Sequence, residues 1–139
     1  GFNSRMDEMQ AAFLSVKIKY LDKENTFRKS IAQTYIKNIN NSNLILPKLS
    51  EDENNQVWHL FVIRTKHRER LQKYLNDNGI QTLIHYPIPP HKQLAYKEFN
   101  NLSYSITEKI HQEVLSLPIS PILKEEELNE IITKINDFI

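Results

Sequence analysis

The sequence contains no cysteine and only two glycines among its 139 residues. Without cysteine, neither a disulfide framework nor a thiolate zinc site can form. Because glycine stands only at positions 1 and 79, a glycine-rich phosphate loop of the Walker or Rossmann kind is also excluded. The HExxH, GxSxG and DxD calcium-loop patterns are missing as well. The sequence therefore predicts none of the common self-contained catalytic motifs.

Charge is nearly balanced, with 18 basic and 17 acidic residues and a formal net charge of +1. This balance gives no electrostatic reason to expect nucleic acid or an anionic membrane as a partner. The apolar runs are too short to span a bilayer, and no signal segment is expected at the start. With 40% hydrophobic residues, residues 1–139 suit a single domain. We expect a cytoplasmic protein, since the lack of cysteine is compatible with a reducing compartment.

The first 40 residues are predicted to form one long helix, because neither proline nor glycine interrupts residues 4–39. Ser4 and Asp7 fit a capping box of the S-x-x-D kind. At about 1.5 Å per residue the helix would be roughly 50 Å long, more than the roughly 35–40 Å of a compact domain this size. Apolar residues form two rows along its first half: Met6, Met9, Phe13, Val16 and Tyr20, and Ala11, Leu14, Ile18 and Leu21. We therefore expect residues 1–21 to pack on something outside this chain; the alternative is a kink at 21–25 that folds the helix back.

Residues 41–139 are predicted to form a small α+β domain. Apolar and β-branched patterns indicate strands and helices in alternation, with strands at 57–65, 80–86 and 115–119 and helices at 68–78, 105–114 and 125–138. The order predicts a two-layer α+β sandwich with a small mixed sheet and helices packed on it. A right-handed crossover would make the first two strands parallel, with the third antiparallel beside or between them. Trp58 is expected in the core and His59 within the sheet.

Residues 81–93, QTLIHYPIPPHKQ, place His85, Tyr86 and His91 on a proline-rich loop after a strand-like run. Proline fixes its own φ and restricts its predecessor, so such a loop presents polar groups at low entropic cost. These three residues are candidate binding residues. The alternative is an edge strand that enters a turn, with His85 half buried and His91 solvated. A metal site from His85, His91 and a carboxylate such as Glu98 would need a third ligand, and we expect none.

Four motifs in order carry a family resemblance: GFNSRMDEMQAA at 1–12, VWHLFVIR at 57–64, GIQTLIHYPIPPHKQ at 79–93 and VLSLP at 114–118. They resemble the C-terminal part of the DegT/DnrJ/EryC1/StrS family, PLP-dependent fold type I aminotransferases that act on nucleotide-linked keto-sugars. The resemblance implies the C-terminal small domain of a homodimeric enzyme for surface polysaccharide, lipopolysaccharide or other deoxyaminosugars. The lysine that binds PLP would lie in a large N-terminal domain without a counterpart here, so the isolated chain is expected to be inactive.

The resemblance also implies roles for single residues. Asn3 would donate to the PLP phosphate, and Arg5 would serve the cofactor or the sugar nucleotide, both in the neighbouring subunit's site. His85 and Tyr86, with His91, would lie near the substrates, a nucleotide-diphosphate keto-sugar and an amino-acid donor. Two alternatives stay open: a PLP-dependent sugar dehydratase of the same family, and a non-catalytic interaction or regulatory module that binds a partner through residues 1–21.

Overall fold

The computed structural model describes residues 4–52 and 55–139. Helices and strands follow one another along the chain as α1 Glu8–Lys17, α2 Leu21–Asn38, β1 Phe61–Arg64, α3 Arg68–Asp77, α4 Ser105–Glu113, β2 Val114–Leu117 and α5 Glu125–Asp137. Short 3₁₀ turns lie at Ile18–Tyr20, Pro90–Lys92 and Leu94–Phe99. This mixed α/β architecture, with a long N-terminal helical segment and a small sheet, confirms the predicted fold class. Within the described residues, no helix is both long and apolar enough to cross a membrane.

The N-terminal helical segment is continuous from residue 8 to residue 38, because the 3₁₀ turn Ile18–Tyr20 joins α1 directly to α2. The 3₁₀ turn at Ile18–Tyr20 therefore comes just before residues 21–25, where the sequence allowed a kink, and residues 21–25 themselves belong to α2. Asp7, and not Ser4, caps α1: its Oδ1 accepts the backbone N–H of Gln10 at 2.8 Å. The capping box predicted from Ser4 is thus wrong, since the Asp7 carboxylate already satisfies a free donor of the first turn.

The apolar rows of α1 are not covered by the rest of the described chain, and α1 contains no buried residue. In contrast to α1, helix α2 packs against the core, where its residues Ile31, Ala32 and Tyr35 are buried. The exposed apolar side chains of the first half are Met6, Met9, Phe13, Leu14, Val16, Ile18, Tyr20 and Leu21. We call this set the α1 apolar face. A contiguous apolar face of this kind is typical of a surface that packs against another protein unit.

Because the α1 apolar face is exposed, we predict that the purified chain self-associates through it. Replacing Phe13, 67% exposed, with arginine should weaken self-association about tenfold or more, since burying a phenylalanine side chain is worth about 1.5–3 kcal/mol. Sedimentation velocity over a concentration series measures the effect. Ile122→Arg, at an exposed position outside the helix, is the control and should leave association unchanged. A monomeric wild-type chain that binds no apolar dye would contradict the prediction.

The sheet is antiparallel, with β1 and β2 paired from Phe61↔Leu117 to Arg64↔Val114. On the other side of β2, Leu83 forms a single bridge with Ser116. The structure thus places β2 between β1 and the segment around Leu83, one of the two arrangements left open by the sequence. The predicted strand 80–86 is reduced to that bridge, and the strand predicted at 57–65 is shortened to β1.

The segment 80–86 forms only a bridge because the backbone N–H at its start bonds the end of α3 and is not available to a neighbouring strand. The N–H groups of Gly79 and Ile80 donate to Asn76 O and Leu75 O at 2.9 and 2.8 Å. Gly79 has φ +78°, the left-handed conformation that glycine adopts readily after a helix. Helix termination therefore competes with strand pairing for the same backbone donors.

The core lies between the sheet and the helices. Phe61 is fully buried, with its ring centroid 4.9 Å from that of Tyr35 and 5.7 Å from that of Trp58. Trp58 is buried, which confirms its predicted place in the core, whereas His59 is exposed outside the strand, so its predicted place in the sheet is wrong. Tyr35 donates its hydroxyl to Pro118 O at 2.8 Å, and burial raises the pKa of this phenol.

Candidate functional site

The candidate site begins where the chain leaves the sheet at Leu83. The N–H of Ser116 donates to Leu83 O at 2.7 Å, and the N–H of Leu83 donates to Ser116 O at 3.3 Å. Two residues later, the Nδ1 atom of His85 lies 2.9 Å from Ser116 Oγ. His85 is half-buried, as one reading of the sequence expected. The imidazole is therefore held at the sheet edge by a residue of β2.

Tyr86 lies directly beside His85 and is 70% exposed. The two rings meet edge to face with centroids 5.8 Å apart, and the peptide bond between them is cis. A phenol in this position can both donate and accept a hydrogen bond. His85 and Tyr86 thus form a pair of polar rings that a ligand can reach from solvent.

His91 lies on the 3₁₀ turn Pro90–Lys92 and is only 7% exposed, so the reading that it is solvated is wrong. Its Nε2 is 2.9 Å from Glu108 Oε1, and its ring meets the Tyr104 ring edge to face at 4.9 Å. Because a carboxylate only accepts hydrogen bonds, Nε2 must carry the hydrogen. Glu108 Oε1 also accepts the Tyr104 N–H at 3.1 Å. The hydrogen bond from His91, followed by that from Tyr104, lowers the pKa of Glu108.

An apolar cavity of about 370 Å³ adjoins His91. Its lining is largely aromatic and consists of Pro90, His91, Tyr96, Phe99, Leu102 and Tyr104. Lys92 closes the turn beside this cavity, since its ammonium donates to Asn100 O at 2.8 Å and to Leu102 O at 2.9 Å. These two hydrogen bonds tie the end of the proline-rich loop to residues 100–102.

The His91–Glu108 pair should make stability depend on pH. Because the folded state lowers the pKa of Glu108, its contribution is present at neutral pH and is lost as pH falls through the folded pKa. We predict that Glu108→Gln is less stable than the wild type near pH 7 and that the difference shrinks as the pH falls and Glu108 becomes protonated. Urea midpoints at several pH values measure this. Glu98→Gln, an exposed carboxylate on the same loop, is the control; a gap between wild type and Glu108→Gln that does not change with pH would contradict the prediction.

Arg5 is exposed just before α1 and has no hydrogen-bond or ion-pair partner within residues 4–52 and 55–139. Its guanidinium is therefore not occupied by another described residue, and a guanidinium is a suitable group for binding a phosphate. Asn3 lies outside the described residues. Because Arg5 is exposed and α1 has no buried residue, the described residues 4–17 do not enclose a cofactor by themselves. Among the described residues, Arg5 is therefore the one candidate contact to PLP, and the rest of a PLP site would have to come from outside this chain.

No group of three or more histidine, aspartate or glutamate side chains in the described part of the chain could hold a metal ion. His85 and His91 have different partners, Ser116 and Glu108. The structure thus brings His85 together with Tyr86 but places His91 in a separate network. Of the partners, Ser116 was visible only as part of the VLSLP motif. Residues 105–108, SITE, fit a capping box with Ser105 as the N-cap, but in the structure the N-cap is Tyr104, whose N–H donates to Glu108 Oε1. The capping box expected from Ser105 is therefore wrong.

Solved structures with the same fold define the class of protein. The chain superposes on DesV of S. venezuelae, solved in complex with a ketimine intermediate, with a TM-score of 0.89 and 36% identity over 99% of this chain and 38% of that one. It also superposes on NtdA of Bacillus subtilis, solved with bound PMP, with a TM-score of 0.86 and 37% identity over 97% of this chain and 33% of that one. A DegT DnrJ EryC1 StrS aminotransferase from Brucella abortus superposes with a TM-score of 0.87 and 33% identity over 97% of this chain and 36% of that one. The fold is therefore that of part of an aminotransferase.

The chain belongs to the DegT/DnrJ/EryC1/StrS aminotransferase family, whose sequence model matches residues 1–136. A similar protein is the dTDP-3-amino-3,6-dideoxy-alpha-D-galactopyranose transaminase of Aneurinibacillus thermoaerophilus, 51% identical over 138 residues, which are 99% of this chain and 38% of that protein. Another is the dTDP-3-amino-3,4,6-trideoxy-alpha-D-glucose transaminase of Streptomyces venezuelae, 36% identical over 99% of this chain and 37% of that protein. The chain thus spans about 38% of the length of such relatives. Aminotransferases of this family are PLP-dependent.

Proposed function

We propose that this chain forms the C-terminal small domain of a PLP-dependent aminotransferase that transfers an amino group to a nucleotide-linked keto-sugar. The product would be a deoxyaminosugar for surface polysaccharide, lipopolysaccharide or a similar glycoside. The observation that carries the proposal is the pair of polar rings, His85 and Tyr86, held at the sheet edge of an aminotransferase fold. The name of a relative that is 51% identical, a dTDP-sugar transaminase, supports the same substrate class.

His85 and Tyr86 would bind the sugar nucleotide. The Nε2 atom of His85 has no hydrogen-bond partner in residues 4–52 and 55–139, since the recorded bond uses Nδ1. It can therefore donate to a diphosphate or sugar oxygen, while the Tyr86 hydroxyl donates or accepts beside it. His91 would reach the substrate only through Nδ1, because Glu108 occupies Nε2.

The N-terminal residues would serve the cofactor. Arg5, exposed ahead of α1, would bind the PLP phosphate or the sugar nucleotide, and Asn3 would donate to the phosphate. We infer that both reach into the site of the second subunit of a cytoplasmic homodimer. When bound, PLP supplies the electron sink through which the amino group passes from an amino-acid donor to the keto-sugar. The role of this chain in the reaction is to bind and orient the substrate.

A chimaera tests the proposal. In it, this chain replaces the matched 138 residues of the A. thermoaerophilus transaminase. Because half of those residues are identical, we expect a folded dimer that holds PLP and aminates a keto-sugar nucleotide. The unmodified A. thermoaerophilus enzyme is the control. A folded chimaera that holds PLP but aminates no nucleotide sugar accepted by the control would refute the proposal.

The α1 apolar face favours a second candidate, a non-catalytic interaction module. On that reading the face binds a separate partner protein, whereas in the proposed enzyme it packs within the assembly. A folded but inactive chimaera, together with a chain that stays monomeric while its apolar face is exposed, would favour the module. The chimaera does not separate the remaining alternative, since its PLP lysine comes from a transaminase. A sugar dehydratase would be recognised by product analysis of the enzyme with its own large domain, because it would release a dehydrated sugar without the amino group.

A further inference from the structure

Ser116 makes three hydrogen bonds to the segment that carries His85. Its N–H and C=O bond the backbone of Leu83 at 2.7 and 3.3 Å, and its Oγ lies 2.9 Å from His85 Nδ1. Ser116 is 4% exposed and stands in β2 between the buried Leu115 and Leu117. A hydroxyl on a buried strand needs a partner, and among the described residues the partner is His85. The backbone hydrogen bonds to Leu83 thus fix the distance between β2 and the segment that carries His85, and the Ser116 hydroxyl fixes the orientation of the His85 ring.

The direction of the side-chain hydrogen bond follows from what each group can donate. If Nδ1 donated, the buried hydroxyl hydrogen of Ser116 would have no acceptor within the described part of the chain. If the hydroxyl donates to Nδ1, both groups are satisfied. A neutral imidazole that accepts at Nδ1 carries its hydrogen on Nε2. The Nε2–H group is then a donor fixed in direction by β2.

We propose that Ser116 is a positioning residue of the site: it holds His85 in the Nε2–H tautomer and aims that donor at an anionic or hydroxyl oxygen of the sugar nucleotide. The inference rests on the proposed function for the ligand, but the hydrogen bond itself belongs to this chain. On this proposal, Ser116 affects the substrate only through His85. Removing the hydroxyl should therefore affect substrate binding only while His85 is present.

Kinetics of the chimaera test the role of Ser116. Ser116→Ala keeps both backbone bonds, so the sheet edge should persist, while KM for the sugar nucleotide should rise about three- to tenfold, the usual range for one lost hydrogen bond. Ser116→Thr keeps a hydroxyl and should restore most of the loss. In a His85→Ala background, Ser116→Ala should have almost no further effect, because the two residues act as a unit. Thr65→Val is the control and should leave KM unchanged, since Thr65 is buried and, among the described residues, its hydroxyl accepts the local His67 N–H.

Nitrogen-15 NMR of the chain itself tests the hydrogen bond independently of activity. We expect the His85 ring to show a protonated Nε2 and an accepting Nδ1, and Ser116→Ala to move the Nδ1 resonance towards that of a free imine nitrogen. A protonated Nδ1 in the neutral ring, or additive effects of Ser116→Ala and His85→Ala on KM, would overturn the inference. An inactive unmodified chimaera would instead refute the proposed function, and the NMR result would then still decide whether Ser116 orients His85.

Discussion

His85→Ala in the chimaera should lower kcat/KM for the sugar nucleotide by about ten- to a hundredfold. This range corresponds to about 1.5–3 kcal/mol, the value of a hydrogen bond to a charged group. The reason is structural: Ser116 holds the ring through Nδ1 and leaves Nε2 for the ligand. Steady-state kinetics with varied sugar nucleotide at saturating amino donor measure the effect.

The matched control for this prediction is His59→Ala. His59 is exposed and lies outside both strands, so its removal deletes the same functional group without touching the sheet edge. We expect its kcat/KM to stay within about twofold of the wild type, as surface substitutions usually do. Equal losses in the two variants would show that His85 has no special relation to the substrate.

Phe61→Ala should lower the free energy of unfolding of the chain by about 3–5 kcal/mol, the usual cost of deleting a buried aromatic ring. Phe61 is fully buried and contacts the rings of Tyr35 and Trp58. It therefore links α2 to the sheet and to the segment before it. Since a domain of this size has only about 5–15 kcal/mol in total, the variant should be largely destabilised. Urea unfolding followed by circular dichroism gives the value.

Phe99→Ala is the control for the core substitution, because Phe99 is 46% exposed at the rim of the apolar cavity. Its cost should be clearly smaller, about 1 kcal/mol or less. If Phe61→Ala and Phe99→Ala destabilised the chain equally, the core described between α2 and the sheet would be wrong.

The helices could be predicted from the sequence because their apolar periodicity is a local signal. The last helix, predicted at 125–138, is observed at Glu125–Asp137. The strand at 80–86 could not be predicted correctly, because the donors of Gly79 and Ile80 are taken by the end of α3. Whether β2 lay beside or between the other two segments depended on long-range pairing, which no local pattern encodes.

The loop that carries His85 and Tyr86 could be predicted from the sequence, whereas the contacts of the histidines could not. His85 and Tyr86 stand on a loop whose prolines are visible in the sequence. Ser116 lies 31 residues from His85, and Glu108 lies 17 residues from His91, so both contacts depend on the completed fold. The spacing of these residues in the sequence also does not predict their burial: His91 is buried and bonded to Glu108, whereas Tyr86 is exposed.

The two half-reactions of the chimaera, measured separately through the cofactor's absorbance, test the central claim most directly. The first half-reaction passes the amino group from the donor to the cofactor, and the second passes it to the keto-sugar. If His85 serves the sugar nucleotide, His85→Ala slows the second half-reaction about ten- to a hundredfold and leaves the first nearly unchanged. If His85→Ala slows both half-reactions equally, His85 is a structural residue and the assignment of the loop to the substrate is wrong.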